Sequence, residues 1–329
     1  MADSGKNETA FIPKEAVDQQ FAEDIKEGLS KSQKSIPCVY FYDARGSELF
    51  ELICSLPEYY PTRTEASILR NCADEMAAFF NDINIIELGS GSSVKTRILI
   101  DAFIKQNGET TYRPIDVSKS ILQQSAENLE GIFSDLNVIP FTGFYEDGLQ
   151  NSISEENKQD LILWLGSSIG NLERREAVNF LKEMKDISSK NSFFLIGIDL
   201  RKDKKILEDA YNDSQGITAD FNKNLLSRIN AELGADFNLD YFDHSAVYNE
   251  EQGRIEMRLV CSKDHQIYIN TLDEEFSFAA GESIHTENSY KYSLEEIDNL
   301  ARGVGFNLDK QWIDDDNLFS LNLFSIKSN

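Results

Sequence analysis

The chain has only three histidines in 329 residues, and none is paired at metal-ligand spacing, so a protein-bound metal is not expected. Its four cysteines, Cys38, Cys54, Cys72 and Cys261, show no Cys-x-x-Cys spacing, and Cys54 and Cys261 sit in apolar runs that read as buried thiols. Basic residues are scarce. The 32 Lys and Arg face 57 Asp and Glu, a formal net charge of −25. Such a surface repels phosphate backbones, so no nucleic-acid partner is expected, and the acid serves solubility. No uninterrupted apolar run approaches the ~20 residues that span a bilayer, which argues against a membrane partner. The polar N-terminus lacks an apolar signal-peptide core, and a cytoplasmic protein is expected. Repeats and low-complexity tracts are also missing. Hydrophobic residues still make up 41% of the chain, enough for a sizeable core, and the length suits one large domain or two ordinary ones.

The most informative stretch is residues 83–91, Ile-Asn-Ile-Ile-Glu-Leu-Gly-Ser-Gly. An apolar run ends in Glu87, Gly89, Ser90 and Gly91, and an amphipathic helix pattern starts at Ser93. This reads as a buried parallel strand, a tight turn and a helix N-terminus, with glycines that let a ligand approach the backbone. Asp116 ends a second strand-like run, Tyr112–Asp116, where a carboxylate can accept both hydroxyls of a ribose. The pattern suits a dinucleotide or S-adenosylmethionine. The third glycine of the dinucleotide pattern is missing, since Val94 stands there, and an acid two residues before the turn, here Glu87, is common in methyltransferases.

Further along, strands are expected at 83–88, 112–116, 137–141, 160–165 and 192–199, with helices at about 93–106, 119–133 and 174–188. The alternation predicts an α/β fold, a Rossmann-like parallel sheet covered on both faces, with ligands at the strand C-termini. After Asp199 the pattern changes to two helices, at 202–213 and 218–233, and then to β-type runs at 245–249, 254–262 and 266–270. Ser293 and Glu296 form a capping-box pattern, and the alternation at 318–326 predicts an antiparallel closing strand. The expected division is a cofactor domain, 63–199 plus 284–329, and an inserted α+β substrate-binding domain, 15–62 plus 200–283, with residues 1–14 loose.

Four patches stand where substrate chemistry can occur: Tyr40–Phe50, Leu56–Glu65, Trp164–Leu172 and Gly281–Tyr292. Asn171 can offer an amide oxygen and an NH₂ to a ligand. Taken alone it reads more readily as the N-cap of the helix that follows. The tyrosines fit packing as well as binding, and Glu287 and Ser289 taken alone fit an ordinary surface.

In combination the patches resemble the histidine-specific Nα-methyltransferases of ergothioneine biosynthesis, which use S-adenosylmethionine to trimethylate histidine to hercynine. The resemblance runs from about Val39 to the C-terminus. FYDARGSELFELI, LPEYYPTRTEA, IELGSGSSVKTR, YRPIDVS, LGSSIGNL, DLRKD, AYNDSQGITADFNKN and GESIHTENSYKY carry it. It implies a methyltransferase acting on L-histidine, expected as a monomer. Gly89, Lys95 and Asp116 match cofactor contacts, beside Glu87 and Gly91 of the turn. Tyr59 and Asn171 match residues that hold the α-amino and carboxylate end, and we assign them the catalytic orientation of the amine. Tyr42 and Tyr211 match tyrosines around the substrate, with Tyr211 on the carboxylate. Glu287 and Ser289 match the pair that holds the imidazole, and Met257 a residue lining that pocket. One departure concerns the adenine: the family usually has Asp after the glycine of the third-strand loop, whereas this chain has Gly143-Phe144-Tyr145. Backbone groups of Phe144 and Tyr145 are the candidates to substitute. A methyltransferase for another amino acid and a non-catalytic amino-acid-binding homologue are the rival readings. Glu287 speaks against an indole substrate, because its carboxylate would face an apolar ring unpaired.

Overall fold

The computed structural model describes residues 14–80, 83–153 and 159–327. The loose segment expected over residues 1–14 lies outside the described residues apart from Lys14, which opens the first helix. Three helices, α1 (Lys14–Ser30), α2 (Ala44–Cys54) and α3 (Tyr60–Phe79), precede the sheet. The alternating part runs β1 (Ile83–Leu88), α4 (Thr96–Asn107), β2 (Thr110–Asp116), α5 (Lys119–Ile132), β3 (Leu136–Val138), β4 (Phe141–Thr142), α6 (Tyr145–Ser152), β5 (Gln159–Trp164), α7 (Arg174–Ile187) and β6 (Phe193–Asp199). The insertion follows, with α8 (Lys204–Tyr211), α9 (Ile217–Leu233), β7 (Phe242–Asn249), β8 (Arg254–Cys261), β9 (His265–Ile269), β10 (Glu274–Phe278) and β11 (Ser283–Tyr290). The chain ends in α10 (Leu294–Val304), β12 (Phe306–Ile313) and β13 (Phe319–Ile326).

The main sheet has the order β12-β13-β6-β5-β1-β2-β3, with β4 also on β2. Strands β3 through β6 of this path are parallel, and β13 runs antiparallel to β6. Every residue of β1 is buried, as a strand covered by helices on both faces requires. The order reverses at β1, so the glycine turn after it opens at a topological switch point. Three details differ from the sequence reading. The third strand is split into β3 and β4, because Pro140 has no N–H to donate and interrupts the run. Helix α6, only two turns long, was too short to register as a period. The antiparallel strand β13 is internal, and β12 forms the edge outside it.

Two apolar cores lie against the main sheet. A third gathers Phe21, Ile25, Phe41 and Leu49 with Leu225, Phe242, Ile255 and Leu259, so the segment before residue 63 packs with the insertion. Polar contacts bind the same parts: Asn224 donates to the Asp43 carboxylate at 2.8 Å, and Arg228 to the Tyr40 carbonyl at 2.9 Å. The sheet β7-β8-β11 covers this core. β11 pairs with β8 as far as Tyr290, so it carries the smaller sheet past residue 284. Immediately afterwards the Tyr292 N–H donates to the Asp199 carbonyl at 3.0 Å, which ties the smaller sheet to the ligand edge of the larger one. The expected capping box of α10, Ser293 with Glu296, is present.

Candidate active site

The turn after β1 is built by residues in the left-handed region. Gly89 has φ +67° and Gly91 φ +51°, and a Cβ on Gly89 would meet the Tyr145 hydroxyl at 2.6 Å. The Asp116 carboxylate stands across this turn. It accepts the Gly91 N–H at 2.9 Å and the Ser118 N–H at 2.8 Å, one on each oxygen. These bonds fix the carboxylate and leave each oxygen a further lone pair. Burial raises its pKa, while the backbone amides of Ser118, Gly91 and Val117 oppose the rise. Glu87 is buried beneath the turn, holding Thr96 Oγ1 at 2.6 Å and the Tyr112 hydroxyl. Burial pushes its carboxyl up to about 7 against those bonds. Glu87 thus braces the turn from below. Phe144 caps α6 at the surface, and the Tyr145 ring packs against Trp164 and Phe180. The open turn, the fixed carboxylate and the glycines suit the ribose and amino-acid parts of a nucleoside cofactor.

Lys95 is not free to meet a ligand as a lone cation. Its ammonium pairs with the fully buried Glu65 on α3, whose two oxygens also accept the Gly166 N–H at 2.9 and 3.0 Å. Gly197 on β6 makes the room, since a Cβ there would meet Glu65 at 1.9 Å. Glu65 was quoted within a motif but given no role by the sequence reading.

A second cleft opens between the insertion and the segment before the sheet. Tyr59, Tyr211, Met257 and Glu287 line it together with Phe50 and Phe221. Each arrives from a different element. Tyr59 precedes α3, Tyr211 ends α8, and Met257 lies on β8 directly opposite Glu287 on β11. A bulge at Thr286 shifts the register by one and sets Glu287 on the cleft side. Tyr42 stands edge-on to Phe50 and Phe221, at 5.6 and 5.8 Å between ring centres, and Tyr59 to Tyr211 at 6.1 Å. Burial raises the Tyr42 and Tyr59 hydroxyls well above their ordinary value, so both stay neutral. The Glu287 carboxylate accepts no hydrogen bond among the described residues, and burial pushes it up to about 7 against the pull of the Lys291 ammonium.

Asn171 closes the 3₁₀ turn Ser168–Asn171 that leaves β5. It caps nothing: Glu173 is the N-cap of α7, in a box with Glu176. Its amide instead lies 3.5 Å from the Cys38 sulfur, whose thiol is raised to about 11 by burial and by Glu287. This contact joins the turn leaving β5 to the segment before the sheet.

The family model of histidine-specific, S-adenosylmethionine-dependent methyltransferases matches residues 21–326. The chain belongs to this family. A histidine N-alpha-methyltransferase of Mycolicibacterium smegmatis is 37% identical, over 95% of this chain and 97% of that protein. Ergothioneine biosynthesis protein 1 of Neurospora crassa is 33% identical over 85% of this chain and 32% of its own length. A 4-dimethylallyltryptophan N-methyltransferase of Aspergillus fumigatus is 29% identical, over 89% of this chain and 90% of that protein.

The methyltransferase also holds a charged cluster that sequence reading missed. Ser289 is buried beside the cleft-lining Tyr211, two residues from Glu287 on the same face of β11. It accepts the Tyr211 hydroxyl at 2.8 Å and the Lys291 ammonium at 2.8 Å. Lys291 is fully buried and pairs with Asp199 at 2.7 Å. Asp199 also holds Lys202 and the Tyr60 hydroxyl, the latter at 2.8 Å. Burial would raise the Asp199 carboxyl, but Lys291 and Lys202 outweigh it and hold it below the ordinary range. The signal was present in the sequence: Lys291 lies two residues beyond Ser289 in the alternation of β11, and Asp199 ends a strand on the ligand edge.

Proposed function

We infer that this methyltransferase moves methyl groups from S-adenosylmethionine to the α-amino nitrogen of L-histidine, three times, to give Nα,Nα,Nα-trimethylhistidine, hercynine. The observation that carries the reading is the cleft that brings together Tyr59, Tyr211, Met257 and Glu287. Aromatic faces and one unpaired carboxylate suit an amino acid whose side chain is apolar in its faces and polar at its edge. Asp116 and the glycine turn suit the ribose and amino-acid parts of the cofactor. The exposed Phe144 side chain offers nothing polar to an adenine, which leaves backbone groups at residues 144 and 145 for that contact. No metal is needed, and among the described residues no cluster of three His, Cys, Asp or Glu side chains could hold one.

The transfer is an in-line displacement, in which a C–N bond forms as the C–S bond of the sulfonium breaks. The amine must be neutral to attack, and a free α-amino group has a pKa of about 8 or above, so a proton has to leave first. The tyrosines of the cleft are protonated and hold no charge to accept it, so no residue is assigned as a base. Orientation then carries the catalysis and is worth roughly 7–11 kcal/mol in well-aligned reactions. Asn171 and Tyr59 aim the lone pair, and the faces of Tyr42, Tyr59 and Tyr211 accept the growing ammonium. We further infer a division into a cofactor part, 63–199 with the C-terminal segment, and a substrate part, 15–62 with the insertion. The latter takes in β11 as far as Tyr290, beyond the expected return at residue 284. The reading includes a cytoplasmic monomer; no helix among the described residues is long and apolar enough to cross a membrane.

The test is to incubate the protein with S-adenosylmethionine and each common amino acid, scored by mass for one, two or three added methyl groups. Histidine is expected to be taken to the trimethylated product. Turnover of another amino acid in preference to histidine overturns the substrate, and binding without turnover overturns the enzyme.

A further inference from the structure

The buried cluster beneath the cleft has a consequence for substrate choice, which rests on the reading of histidine as substrate. An ammonium has three donors and no acceptor. Lys291 uses all three: on Asp199 at 2.7 Å, on Ser289 Oγ at 2.8 Å and on the Tyr211 hydroxyl at 3.1 Å. The Tyr211 hydroxyl, with one lone pair occupied by Lys291, donates its own proton to Ser289 Oγ at 2.8 Å, so that proton is engaged there and not on the carboxylate that the resemblance assigns to Tyr211. Ser289 therefore accepts twice. A hydroxyl oxygen has two lone pairs, and both are filled. What Ser289 has left is its O–H, for which the described residues supply no acceptor.

We propose that Lys291, anchored by Asp199, is a positioning residue that fixes Ser289 as a hydrogen-bond donor, so that the cleft selects the neutral imidazole. Ser289 offers a proton, and Glu287 offers a lone pair. A neutral imidazole has one bare nitrogen and one N–H, and satisfies both. An imidazolium has two N–H groups and meets the Ser289 proton head-on with one of them. The position of the Lys291 ammonium adds like-charge repulsion to that mismatch. Without Lys291, Ser289 could turn and accept, and an imidazolium between Ser289 and Glu287 would be a good ion pair. The polarity of the site is thus set by a residue behind the hydroxyl and not by the hydroxyl alone.

The charged and titratable groups around Ser289 and Glu287 are Lys291 beyond β11, Asp199 at the end of β6, Lys202 after it, Tyr211 on α8 and Tyr60 on α3. Tyr42, Tyr59 and Cys38 face Glu287 from the segment before the sheet, all raised by burial. Titration of these groups acts on any amino acid in the cleft. The ratio between two ligands cancels what acts on both neutral rings alike, and the same ratio measured on Glu287→Gln removes the titration of the carboxylate, which only a charged ring feels.

The experiment measures dissociation constants by calorimetry for L-histidine and for triazolylalanine, whose ring stays neutral, on protein loaded with S-adenosylhomocysteine, between about pH 5 and pH 9. In the unaltered protein the affinity for histidine relative to triazolylalanine is expected to fall about tenfold per pH unit below the imidazole pKa of about 6.5. A ratio that is flat, or that rises toward acid, means the cation is accepted and overturns the proposal without any variant. Lys291→Met, and the charge-neutral pair Asp199→Asn with Lys291→Met, are expected to flatten the ratio. Ser289→Ala keeps the ammonium but removes the hydroxyl, and is expected to flatten it as well. If the acid limb survives Ser289→Ala, charge repulsion alone produces it and the orienting role of Lys291 is wrong. If the unaltered protein neither binds nor methylates histidine, the proposed function itself fails, an outcome distinct from histidine binding with the wrong pH dependence.

Discussion

The cofactor edge and the substrate cleft are built in opposite ways. Glu87, Gly89, Gly91 and Asp116 lie on one strand-turn-strand unit, and backbone amides hold the carboxylate of Asp116 in place. The cleft draws Tyr59, Tyr211, Met257 and Glu287 from separate elements, and its polarity comes from side chains behind it. At the cofactor edge the Asp116 carboxylate holds a backbone hydrogen bond on each oxygen without a ligand. The cleft leaves the Glu287 carboxylate without a hydrogen bond among the described residues, a cost that a ligand with a donor can relieve. Binding of a general cofactor can rely on backbone, which any sequence supplies. Choice between amino acids needs side chains left unsatisfied until the right one arrives.

If the halves are separable, substitutions in one should leave the other intact. The largest effect is expected for Glu287→Ala, which removes the acceptor for the ring N–H: discrimination in favour of histidine over an apolar side chain can fall by up to about 10⁴-fold. Combined with Met257→Ala it is expected to admit tryptophan. The measurement is kcat/KM for histidine, phenylalanine and tryptophan, with the dissociation constant of S-adenosylhomocysteine expected to stay unchanged. A histidine-to-tryptophan ratio that does not move removes Glu287 from recognition.

Asn171→Ala is next. Misplacing the attacking nitrogen by about 1 Å lowers turnover on the order of 10²-fold. Because α7 is capped by Glu173, the melting temperature is expected to hold. A variant that melts early but keeps its activity per folded molecule would make Asn171 a structural residue after all.

Asp116→Ala tests the other half. Loss of a charge-assisted hydrogen bond is expected to weaken S-adenosylmethionine by about 1.5–3 kcal/mol, roughly 10- to 150-fold in dissociation constant. Equal binding of S-adenosylhomocysteine by variant and parent would move the ribose elsewhere.

The smallest effect concerns stability. Burial raises Glu287 from an ordinary 4.5 to about 7. Between those values the folded chain binds the proton that the unfolded chain has released, so this group makes folding less stable as pH rises through the window. Glu287→Gln removes that loss. Its melting temperature is expected to exceed that of the parent by a few degrees at about pH 8 and by less at about pH 5. The reverse order would mean that Glu287 is held by a partner in the folded chain.

Much of this molecule was legible from residue order. The run Ile83–Leu88 and the glycine turn announce a buried strand and a ligand edge, because apolar continuity and left-handed backbone are local demands. The alternation of elements up to Asp199 predicts the parallel sheet for the same reason. The residues of the cleft were reached through a resemblance spread over eight motifs, since nothing in Tyr59 or Tyr211 alone separates a binding tyrosine from a packed one. Asn171 shows the limit well: its sequence setting favoured a cap, and only the fold, which brings Cys38 to its amide and gives the cap to Glu173, decided otherwise.

Lys95 and Lys291 mark the rest. Charge and spacing show that they are lysines near motifs. They do not show that one pairs with a buried acid from α3 and the other with the end of β6. Local chain geometry depends on neighbours in sequence, and those are written in the residue order. Which hydroxyl is a donor, and which cation is spoken for, depends on partners tens of positions away, 30 for Lys95 with Glu65 and 78 for Tyr211 with Ser289, and those meet only when the elements pack together.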